Sequence, residues 1–196
     1  MDLVARAKAI LLNPKQEWPV IEKETTTTAE LYTGYIVPLA AIGPIARAIG
    51  LSALGVNLGP LGSWRVSPGN AVGSAVVGFV CTLAGVWVLA WIIDALAPKF
   101  GGQSSSSQAL KVAAYSATAA WLAGIFAIVP ALGLLGLLGL YSLYLLYLGL
   151  PVLMKSPVER SGTYTVVVVI AACVIFVVIG LVASRLFWGG RPGLQF

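Results

Sequence analysis

Apolar residues run along this chain in five stretches, at about 31–50, 71–96, 109–129, 132–154 and 164–187, and the breaks between them carry most of the charge. A helix crosses the roughly 30 Å hydrocarbon core of a bilayer with about 20 apolar residues. No backbone polar group can stay unpaired there, so the stretches are helices rather than open strands. The pattern predicts an all-α polytopic membrane bundle of five transmembrane helices. It divides the chain into an arm at 1–29, a five-helix domain at 30–188 and a short tail at 189–196. Pro38, Pro44 and Arg47 interrupt the first stretch, so it is expected to be kinked or partly re-entrant. Pro130 separates the third and fourth stretches by so little that they are expected to be antiparallel neighbours.

The arm has a different period. Leu3, Val4, Ala7, Ile10 and Leu11 share one arc of a helical wheel, with Arg6 and Lys8 at its edges and Pro14 closing it. That pattern predicts a short amphipathic helix in the membrane interface, with Arg6 and Lys8 reaching to lipid headgroups and Trp18 as an anchor. The alternative is an arm that packs its apolar face on the bundle. The stretch is too short and too charged for a cleavable signal peptide.

Composition sharpens the class. Of 196 residues, 59% are hydrophobic and 10% charged, against roughly a quarter charged in soluble domains. An ordinary soluble domain, a disordered chain and a nucleic-acid binder are excluded. The net charge of +5 is distributed by side. Arg6, Lys8, Lys15, Lys23, Lys99, Lys111, Lys155 and Arg160 fall with the arm, whereas Arg47, Arg65, Arg185 and Arg191 fall opposite. The richer side is expected to be cytoplasmic, with the N-terminus inside and the C-terminus outside an inner membrane. Histidine is absent, and Cys81 and Cys173 sit singly in apolar runs. No nucleophile pair, metal set or nucleotide loop is written into the chain, so no catalytic residue, cofactor or enzymatic activity is expected.

Small residues recur where helices should touch. Ala109, Ala113, Ala117, Ala120, Gly124 and Ala127 form a stripe, and Gly133, Gly136 and Gly139 follow at steps of three, read on an α-helix as a groove winding around it. Asp94 is the only acid in the apolar runs. An acid at membrane depth is a functional hypothesis by default, and near a helix C-terminus it needs a compensating partner, for which Lys99 and Lys111 are in range. Together with Lys111, Tyr115, Tyr144 and Tyr147, Asp94 is expected to line a polar cleft open to the arm side. The alternative is a boundary salt bridge.

Several stretches resemble bacterial Yip1-family membrane proteins. They are Leu12-Asn13-Pro14-Lys15 with Trp18, and Gly101-Gly102-Gln103-Ser104 leading through Gln108-Ala109-Leu110-Lys111 to Ala114-Tyr115-Ser116. The third and most specific runs from Tyr144 and Tyr147 through Gly149, Pro151, Met154-Lys155 and Pro157, with Tyr164 after it. Ala117-Thr118-Ala119 departs from the pattern, since the family often has a proline there. The resemblance implies five spans with a cytoplasmic N-terminus. Eukaryotic members contact small GTPases and coat components through a long hydrophilic N-terminal region, and the roughly thirty residues before the first span here do not imply that role. The resulting expectation is a membrane organiser or adaptor whose partners are membrane lipids or a membrane or cytoplasmic protein, with no nucleic acid. The alternative is a small transporter, channel or lipid-translocating protein, homo-oligomeric, with its cleft near Asp94.

Overall fold

The computed structural model describes residues 2–57 and 63–188. The tail at 189–196, with Arg191, lies outside the described residues, as do the side chains of the last turns, Arg185 included. Five helical segments are long and apolar enough to cross a membrane: Thr28–Leu54, Pro68–Phe100, Ser106–Ile128, Ala131–Leu153 and Val158–Ile175. Helix α1 (Leu3–Leu12) and helix α2 (Pro14–Lys23) precede them. Asp2 caps α1 by accepting from the Val4 and Ala5 amides, and Pro14 opens α2 at a first-turn position where no amide is needed.

The first span is interrupted, as its prolines require. A Thr27–Glu30 capping box starts α3 (Thr28–Leu31). A π-turn at Tyr32–Ile36 leads into α4 (Val37–Ala40), then α5 (Ile42–Ile49), and a second π-turn at Gly50–Leu54 ends the span. Beyond it, Val56–Asn57 (β1) pairs antiparallel with Ser63–Trp64 (β2). The second span is the continuous α6 (Pro68–Leu96) with a 3-10 turn at Ala97–Phe100. The third comprises α7 (Ser106–Ser116), α8 (Thr118–Ala123) and a 3-10 segment at Gly124–Ile128. The fourth begins as a 3-10 helix at Pro130–Leu140 and becomes α9 (Tyr141–Leu153), and α10 (Val158–Trp188) follows.

That 3-10 stretch changes the reading of the fourth span's glycines. With three residues per turn, Gly133, Gly136 and Gly139 eclipse along one line instead of winding. A methyl group on Gly139 would meet Ala120 of the third span, whereas Gly133 and Gly136 face open space. Close packing is concentrated elsewhere. Gly43 and Gly124 bring the first and third spans nearly backbone to backbone, and Gly50 lies against the carbonyls of Ala127 and Ile128.

The core sits at the arm end of the bundle, where Trp18, Tyr35, Tyr115, Tyr164, Ile93, Leu145 and Met154 are fully buried. The middle and far end are more open, and Leu134, Leu137 and Leu138 face outward into what would be lipid. Burial is thus greatest where the two arm helices meet the spans.

Candidate functional site

The arm-end core is built around a cation. Arg6 projects from the inner face of α1 beside buried Ala7 and Ile10, and only 9% of it is exposed. It makes ion pairs with Glu17 on α2 and Glu24 just beyond it, so the guanidinium ties the two arm helices together. Its carbon lies 6.0 Å from the centre of the Tyr115 ring. Burial opposes the charge, but the Glu24 and Glu17 carboxylates outweigh it and hold the Arg6 pKa above the usual arginine range.

Trp18 enters from α2 and is completely buried. Its ring stands edge-on to Tyr115, with centroids 6.4 Å apart, and its six-membered edge rests on Gly149 of α9. Tyr115 in turn packs 4.7 Å from Tyr35, whose hydroxyl is 2.7 Å from the Thr118 hydroxyl. Lys111 is buried and donates to the Ile21 and Glu24 carbonyls, capping the C-terminal end of α2. The Gln108 amide donates to the Glu22 carbonyl at 3.1 Å, the Tyr141 hydroxyl donates to the Leu11 carbonyl at 3.0 Å, and Lys155 pairs with Glu22. The arm is therefore a lid held over the bundle end by contacts from α7, α9 and the connector after it.

The expected cleft is divided by this lid. Lys111 and Tyr115 meet, but around the arm and not around Asp94. Tyr144 and Tyr147 are on the outer face, Tyr144 tilted against Tyr141 at 5.4 Å and Tyr147 beside Lys15 and Pro151. Neither Lys99 nor Lys111 compensates Asp94. Its oxygens accept from the Ser104 and Ser106 hydroxyls at 2.8 and 2.9 Å, so the carboxylate orders the serine connector entering α7. A cavity of about 360 Å³ lies next to it, lined in part by Trp87, Trp91 and Leu110.

Two expected interface anchors are corrected. Arg6 and Trp18 point into the protein, because a guanidinium with two carboxylates in reach has no need of a headgroup and the indole fills a notch that Gly149 leaves open. Lys8 is exposed. Sequence reasoning passed over Glu17 and Glu24, although acids close behind a basic helix were a visible signal of an internal partner. It also passed over Tyr35, and it noted Tyr164 only within the family resemblance. The Tyr164 hydroxyl donates to the Ile93 carbonyl and its ring stacks on Phe100 at 4.8 Å, tying α10 to the second span. Among the described residues no group of His, Cys, Asp and Glu could hold a metal ion.

Comparison with known proteins gives these contacts a family setting. The pattern described as the Yip1 domain matches residues 8–181, which includes the second half of α1, α2 and every span. Inner membrane protein YohC of Escherichia coli K12 is 30% identical over 116 residues, 59% of this chain and 60% of its own length. YohC of Escherichia coli O6:H1 matches to the same extent. The chain thus aligns with about three fifths of each of these relatives. No solved structure matches. With the family pattern covering most of the arm and all five spans, the chain belongs to the Yip1 family of membrane proteins.

Proposed function

We propose that this Yip1-family membrane protein is a non-enzymatic membrane organiser or adaptor, working from its arm side, where it binds lipid or a partner protein. The observation that supports this reading most directly is the buried Arg6–Glu17–Glu24 cluster with Lys111, which fills the bundle end with the protein's own arm. A lid built in this way displays a fixed surface. Val4, Leu12 and Val20 stand exposed on it, apolar side chains for lipid or a protein to cover. In this reading the arm is cytoplasmic, the C-terminus is outside, and the membrane is the inner membrane, as in the relatives' names.

The test is native mass spectrometry of the protein extracted gently from its own membrane. Serine at Val4, Leu12 and Val20 removes the exposed apolar surface and leaves the buried cluster intact. The expected result is loss of associated lipid or partner in that variant and retention in Asp94→Asn. The cavity beside Asp94 favours the second reading, an oligomeric transporter, channel or lipid-translocating protein. If Asp94→Asn abolishes ligand binding or transport while the serine variant behaves as wild type, the adaptor reading is wrong and the second takes its place.

A further inference from the structure

The chain's seven carboxylates, Asp2, Glu17, Glu22, Glu24, Glu30, Asp94 and Glu159, all lie on the arm or at the arm-side ends of the spans. The far side has no acidic side chain. Yet Arg47 stands in the first span, on α5, two turns short of that span's far end. Among the described residues it has no ion-pair or side-chain hydrogen-bond partner. Arg47 is exposed, and an arginine within a span is a functional hypothesis for which an anionic partner is to be named.

A cavity of about 790 Å³ opens beside it, between the first and second spans. Its α6 wall is Asn70, Ser74, Gly78 and Thr82, spaced four apart and so on a single helix face. The opposite wall includes Gly43, Pro44 and Arg47. The polar residues lie toward the far end, where the first turn of α6 also presents its positive dipole end. Deeper in the bundle, Thr82 also borders a second cavity of about 380 Å³, whose walls include Val86, Leu89, Ala113 and Trp121. A cationic, polar-walled cavity and an apolar one thus lie one after the other along α6, with Thr82 in the wall of both.

We propose that this crevice binds one anionic phospholipid from the far-side leaflet, its phosphate on Arg47 and an acyl chain directed past Thr82 into the apolar cavity. The chemistry at the head is that of a phosphate, to which a guanidinium donates two parallel charge-assisted hydrogen bonds. Because the far side holds no acidic side chain, a bound anion supplies the counter-charge that no described side chain gives Arg47. The apolar continuation selects a lipid over free phosphate. This site is independent of the arm surface proposed above and stands or falls without it.

The test is binding to the delipidated full-length protein in detergent, read by native mass spectrometry. The probes are phosphatidylglycerol, phosphatidylcholine and inorganic phosphate. The wild type is expected to retain one phosphatidylglycerol in preference to phosphatidylcholine, with inorganic phosphate failing to displace it. Arg47→Gln should weaken that binding by about tenfold or more, the loss of charge-assisted hydrogen bonding. Gly78→Leu should weaken it similarly with every charge in place. A side chain at Gly78 starts in open space, so this variant blocks the crevice without crowding the fold and keeps the test decisive if Arg47→Gln does not fold. Lys8→Gln, on the arm, should leave this binding unchanged. Wild-type affinity in Gly78→Leu overturns the site. Equal binding of phosphatidylcholine overturns the electrostatic argument, and displacement by inorganic phosphate overturns the lipid assignment.

Discussion

Gly149→Ala is the sharpest perturbation of the arm's seat. A methyl group on Gly149 would stand 2.7 Å from Cζ2 of Trp18 and 2.9 Å from its Cε2 and Cη2. Ordinary carbon contact is about 3.5–4.0 Å, so the indole would have to retreat by roughly 1 Å. Tyr115 stands edge-on beside it, and Trp18 is fully buried. Overpacking of this kind costs about 1–3 kcal/mol, which corresponds to about 5- to 150-fold more frequent undocking of α2. Hydrogen exchange of the α2 amides, in protein held in lipid nanodiscs, reads that ratio directly. Trp18→Phe removes the ring edge that collides, so in the double variant part of the protection should return, with a coupling of about 1–2 kcal/mol. Wild-type protection in Gly149→Ala would refute the reasoning, as would a loss spread evenly over the spans instead of confined to the arm.

Four further outcomes are expected. Arg6→Gln leaves Glu17 and Glu24 facing each other without their cation. Because both carboxylates keep some exposure, the cost should be about 2 kcal/mol, roughly 30-fold in α2 exchange. Arg6 has its folded pKa raised, so its contribution is complete below the unfolded value and is lost only as pH rises through the folded one. Arm protection in the wild type should therefore show no loss from Arg6 between neutral and moderately alkaline pH, and a neutral-range loss traced to Arg6 would contradict the ion-pair assignment. Lys111→Met strips the donor from the Ile21 and Glu24 carbonyls and should cost about 1–3 kcal/mol, seen as faster exchange at the C-terminal turn of α2 before any other segment. Gly50→Ala presses a methyl group onto the Ala127 and Ile128 carbonyls, where backbone cannot step aside, and should lower the thermal unfolding midpoint by more than Gly149→Ala does.

The spans were legible because their signal is one of length and composition, and neither depends on what a helix touches. Pro38 and Pro44 likewise announced a broken first span, and the structure answers with a π-turn at Tyr32–Ile36 and a break at Ala41. The arm was harder to read. A hydrophobic arc on α1 says that one face avoids water, but lipid and a bundle end satisfy it equally. Glu17 and Glu24 supplied the discriminating clue, since a helix seeking anionic headgroups gains nothing from acids close behind it. Asp94 misled for a related reason. Sequence suggested only lysines as partners, whereas two serine hydroxyls, donors without charge, meet both oxygens. The glycines at 133, 136 and 139 depended on the helix period itself, which the sequence does not display.

The fourth span's 3-10 stretch has a mechanical consequence. A 3-10 helix rises about 2.0 Å per residue and an α-helix about 1.5 Å. Over the 11 residues of Pro130–Leu140, the same sequence therefore reaches about 5 Å farther than it would as α-helix. That is about the difference in hydrocarbon thickness between thin and thick cellular membranes. A change of hydrogen-bond pattern in this segment would alter the bilayer thickness the protein matches, without tilting a helix or adding a residue. The segment's leucines face outward, while its other side, Gly139 included, packs on the third span. With such a change the fourth span would act as an adjustable strut.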